Sequence, residues 1–132
     1  MSDVYVLVHR PIVGPLTWSL VAAELRRRGL EVLVPTVRDM DDPTRPCWRH
    51  QADSVAAVLA NPPGARRLVL VGHSGAGQLI PAIWNAAARR AGWVCRELEG
   101  GHFHMLVDPI AVCSHILEIV GEVDSNVRTA LA

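Results

Sequence analysis

Apolar runs alternate along this chain with segments whose apolar positions recur at helical spacing. The run VYVLV at 4–8 is apolar throughout and short, which reads as a strand buried on both faces. A loop, HRPIVGPLTW, follows. SLVAAELRRRG at 19–29 has helical spacing, a Ser or Thr available as N-cap, and Gly29 as its stop. EVLVP at 31–35 reads as a second strand, and the polar, Pro-interrupted TVRDMDDPTRPC as a loop. Residues 48–60 read as a helix closed by NPPG, 68–72 (LVLVG) as a third strand, 75–91 as a helix containing Pro81, and 93–98 (WVCREL) as a fourth strand. Asp108 and Pro109 have the character of an N-cap and first helical residue for IAVCSHILEIV.

Strands alternating with helices predict an α/β fold, a three-layer sandwich around a short, mainly parallel sheet of about four strands. The chain of 132 residues has room for one core, so residues 1–132 are expected to form a single domain. Right-handed crossovers favour an order with strand one between strands two and three, and strand four outside strand three. The direction of the sheet then reverses between strands one and three. Ligands of open α/β sheets bind beyond the carboxyl ends of the strands at such a point, where HRPIVGP and GHSGAG would meet.

Composition narrows the classes. Thirteen basic residues, all arginine, balance thirteen acids, which gives no reason to expect nucleic-acid or anionic-membrane binding. No apolar run reaches the roughly 18 residues of a membrane span, and MSDVYVLVHRP lacks the basic start and cleavage site of a secretory signal; a cytoplasmic location is expected. Cys47, Cys95 and Cys113 are odd in number and lack metal-ligand spacing, so they read as buried free thiols, with no metal and no cofactor expected.

The chemistry concentrates in LVLVGHSGAG at 68–77. Gly72, Gly75 and Gly77 surround Ser74 between a strand and a helix, the geometry that lifts a hydroxyl above a sheet. A serine hydroxyl needs a neighbouring base. ELEGGHFHMLVDP supplies His102, just past the fourth strand; His104 would point to the opposite side if the backbone there is extended. His73 packs or hydrogen-bonds beside the turn, and His50 and His115 fall in predicted helices. Arg10 and Arg38 are candidates for a substrate carboxylate, or plain surface arginines.

With these residues in view, VLVHRPIVGPLTW, LVLVGHSGAGQLIPAI and GGHFHMLVDPIAV resemble the oxyanion loop, nucleophile elbow and histidine loop of the α/β-hydrolase superfamily, in particular small actinobacterial-type members. The resemblance covers nearly the whole chain. It implies a minimal hydrolase core lacking the lid and later strands, with Ser74 as nucleophile, His102 as base and the Gly75 N–H as one oxyanion donor. The substrate would be an ester, thioester or amide of a small molecule, and His9, Arg10, His73 and His104 form the candidate substrate-binding set. The elbow departs from G-x-S-x-G only in carrying Ala76 before Gly77.

Two further departures bear on mechanism. Only one helix and one strand fit between Ser74 and His102, so the acid that usually orients the imidazole has no obvious counterpart. Asp39 and Glu99 are the candidates, with Glu97 beside the latter, whereas Asp108 is better explained as a helix cap. Pro11 stands where the resembling proteins place a donor N–H, leaving Ile12 or Arg10 to replace it. Competing readings are therefore a non-hydrolytic natural-product tailoring enzyme (cyclase, epimerase or lyase) using His102 as base, and an inactive remnant that binds a small molecule or a protein. WVCREL as an open edge, with Ile80 and Trp84 near the surface, predicts a homodimer.

Overall fold

The computed structural model describes residues 3–38, 44–59, 67–86 and 101–130, with the side chains of 84–86 and 126–130 outside that description. Strands β1 (Asp3–Val8), β2 (Glu31–Leu33) and β3 (Arg67–Gly72) form a parallel sheet in the order β2-β1-β3. Helices are α1 (Ser19–Arg27), α2 (Cys47–Leu59), α3 (Ile80–Ala86), α4 (His104–Val107) and α5 (Pro109–Ala130). The expected fourth strand at 93–98 lies outside the described residues.

β1 is central because its residues can be buried on both sides. Val4, Val6 and Val8 face α2 and α3 in one core, with Ala52, Val55, Leu59 and Ile83. Tyr5 and Leu7 face the other, with Trp18, Leu25 of α1, Met105 of α4 and Val112 of α5. Each such aliphatic side chain contributes about 1.5–3 kcal/mol relative to exposure. The two cores make three layers. Crossovers of one hand explain them: leaving β1 toward β2 puts α1 on one face, and returning past β1 to β3 puts α2 on the other.

Several local expectations are corrected. No Ser or Thr caps α1, because a 3-10 helix (Pro15–Trp18) runs directly into it and Thr17 instead donates to the Gly14 carbonyl (2.9 Å). Gly29 does end that region, at φ +80°. The segment after β3 is not one helix: a 3-10 turn (Ser74–Gln78) precedes α3, since Gly75 and Gly77 are poor α-formers and Pro81 is tolerated only in a first turn. Cys113 is buried, but Cys47 is exposed at the start of α2. Ile80 is half-buried against the core rather than at the surface. None of the described helices is long and apolar enough to cross a membrane.

Candidate active site

β1 and β3 end side by side, with Val8 paired to Gly72, and the loops that follow meet there. The His73 N–H donates to the Val8 carbonyl (3.1 Å), locking the start of the elbow to the end of β1. Ser74 then adopts φ +54°, the only positive φ at a non-glycine residue among those described. The turn closes through Ala76 N–H to His73 O (3.0 Å), with Ala76 fully buried and Ser74 exposed. The turn packs closely against Gly72. A Cβ there would stand 3.1 Å from the Gly77 nitrogen and 3.2 Å from both the Ala76 carbonyl carbon and Ile80 Cγ1.

The first loop turns tightly on Pro11, with Val13 N–H donating to Arg10 O (3.1 Å) and Ile12 75% exposed. Arg10 lies across Gly75, its Cγ 3.8 Å and its Nε 4.0 Å from where a Cβ would stand. Gly75 N–H donates to no backbone carbonyl among the described residues.

His9 was expected to face substrate, and its ring is instead buried at 1% exposure. Val37 N–H donates to its Nε2 (3.0 Å), which leaves the proton on Nδ1 to donate to Arg10 O (2.7 Å). Both nitrogens are engaged, and the ring ties the end of β1 to the segment after β2. Arg38 is exposed, with its N–H donating to Ser54 Oγ (3.1 Å). Asp39, Glu97 and Glu99 lie outside the described residues.

His73 is also buried, at 6% exposure. Its Nε2–H donates to the His102 carbonyl (2.7 Å), which leaves Nδ1 as a buried lone pair with no partner among the described residues. Burial pushes its pKa down; the His102 carbonyl opposes this, and the nearby His102 and Arg10 charges add to it. Ring contacts surround it: His102 at 4.8 Å, Phe103 at 5.5 Å, and Trp18 edge-on at 6.4 Å.

The elbow and the His102 loop therefore meet, but through His73. The exposed His102 ring rests on His73 and Phe103 (4.9 Å), and Ser74 Oγ makes no hydrogen bond among the described residues. The backbone at 102–104 is not extended, so the condition for His104 to point away does not hold: its N–H donates to Gly101 O (2.9 Å) and it begins α4, half-buried. His50 is buried in α2 and His115 half-buried in α5. Trp18, packed against the elbow histidine from far along the chain, had no signal in the sequence beyond being apolar.

An open parallel sheet with a strained serine turn at its reversal point is what the geometry defines. Compared with known protein families, curated proteins and solved structures, the chain matches none.

Proposed function

We propose that this protein is a serine-dependent α/β-hydrolase-like enzyme that cleaves an ester, thioester or amide of a small molecule. The observation that carries the reading is Ser74 at φ +54° between β3 and α3, a conformation costly for a side-chain-bearing residue, in a turn packed closely against Gly72. His102 takes the Ser74 proton as Oγ attacks the carbonyl carbon. The Gly75 N–H, with Ile12 as second donor, holds the oxyanion. The departing alcohol, thiol or amine takes the proton from His102, and water, deprotonated by the same imidazole, releases the acyl group. For this the His102 ring turns about its side-chain bonds from His73 toward Ser74.

Labelling with a fluorophosphonate tests the reading. Wild-type protein is expected to be labelled, and Ser74→Ala and His102→Ala are expected not to be; an unlabelled wild type would overturn it. The absence of a hydrogen bond between Ser74 and His102 favours a second reading, in which His102 removes a proton from carbon and no acyl-enzyme forms. Turnover surviving Ser74→Ala but not His102→Ala would select it.

The reading includes a second copy of the chain. Ile12, Leu16, Phe103, Leu106, Val107 and Ile110 are exposed apolar side chains on the first loop and its 3-10 helix, the His102 loop, α4 and the start of α5, and a homodimer that covers them would add a wall to the site.

A further inference from the structure

Among the described residues, His73 is the one bonded to all three parts of the candidate site. Its N–H holds the end of β1, its carbonyl closes the serine turn, and its side chain holds the His102 loop. That side-chain bond spans 29 positions of sequence and is short, at 2.7 Å. The ring is buried, at 6% exposure, and with Nδ1 unpartnered among the described residues it offers one useful donor, Nε2–H. An apolar side chain would fill the same volume. What it would not supply is a donor for the His102 carbonyl, in a loop whose other ties among the described residues are the burial of Met105 and the short-range bonds His104 N–H to Gly101 O, Leu106 N–H to Phe103 O and Asp108 N–H to His104 O.

We propose that His73 is a positioning residue: its Nε2–H fixes the backbone at His102 and so sets the distance from that imidazole to Ser74. The role rests on the serine-enzyme reading for its catalytic consequence, but the tie itself is measurable without it. The neutral ring is the form that fits, because a second proton would place a buried N–H at Nδ1 without an acceptor, in line with the lowered pKa.

Two amide variants separate the bond from the packing. In glutamine the amide nitrogen stands where Nε2 does and can reach the His102 carbonyl; in asparagine it stands at the position of Nδ1 and falls short. Amide hydrogen exchange at 102–108 and the rate of fluorophosphonate labelling are measured in wild type, His73→Gln and His73→Asn. The expected result is that Gln keeps wild-type protection and labels within a fewfold of wild type. Asn should exchange faster at 102–108 and label about tenfold more slowly or worse. Asn and Gln behaving alike in both measurements would overturn the proposal, as would faster loop exchange with unchanged labelling. If the wild type is not labelled at all, the serine reading fails, and exchange alone decides the tie: a Gln–Asn difference at 102–108 upholds it and no difference sinks it.

Discussion

A left-handed backbone conformation at Ser74 has a thermodynamic signature that needs no substrate. A residue with a Cβ at φ +54° carries about 1–2 kcal/mol of steric cost, whereas glycine does not, although glycine loses more freedom on folding. Ser74→Gly is therefore expected to be about 1 kcal/mol more stable than Ser74→Ala, which keeps the strain and loses only the hydroxyl. Urea unfolding of the two variants checks this, and an alanine variant as stable as the glycine one would mean the turn is unstrained. At this scale, legibility divides by where a residue's partners lie. Ser74 and Gly72 could be read because their constraint is local, a strand followed by a tight turn. That His73 packs and hydrogen-bonds beside the turn was legible too, but its partner and that of His9 were not, because His102 and Val37 meet them only after the sheet has formed.

Helices whose signals are local were legible as elements, and α5 is the clearest. Asp108 Oδ1 accepts the Ala111 N–H (3.0 Å), and Pro109 opens the helix at a position that needs no donor. Removing the cap in Asp108→Ala is expected to cost about 1 kcal/mol, read as a lower thermal midpoint, with Asp108→Asn recovering most of it. Equal losses in both variants would mean that the carboxylate acts by charge rather than as a cap. Elements held by tertiary contacts were not legible. Four-residue α4 follows Gly101 and is stabilised by burying Met105 in the core shared with α1 and α5. The elbow reads by composition as the start of a long helix, yet packing of Ala76 and Leu79 under β1 and β3 favours a 3-10 turn. The order of the three described strands was recoverable because connection handedness admits few layouts.

Over the whole molecule, exposed apolar surface is unevenly placed. Apart from Trp48 and Val58, the large apolar side chains most open to solvent among the described residues fall in 12–20 and 103–110. These segments are neighbours, since α4 packs on both α1 and the 3-10 helix that precedes it. Leu16 at 79% and Val107 at 80% exposure contribute almost nothing to the chain's own core, so burial against another surface is where they gain. Monomeric proteins seldom keep a large contiguous patch of this kind uncovered. The proposed homodimer then gives a two-part expectation: wild type sediments as a dimer, and Leu16→Glu combined with Val107→Glu sediments as a monomer. Because both positions are exposed, unfolding free energy of the monomeric variant should shift by no more than about 0.5 kcal/mol per substitution once the loss of association is allowed for. A wild type that sediments as a monomer at its highest soluble concentration would remove the second copy from the site. A double variant that remains dimeric would move the interface elsewhere, leaving the exposed apolar side chains of 12–20 and 103–110 without that occupant.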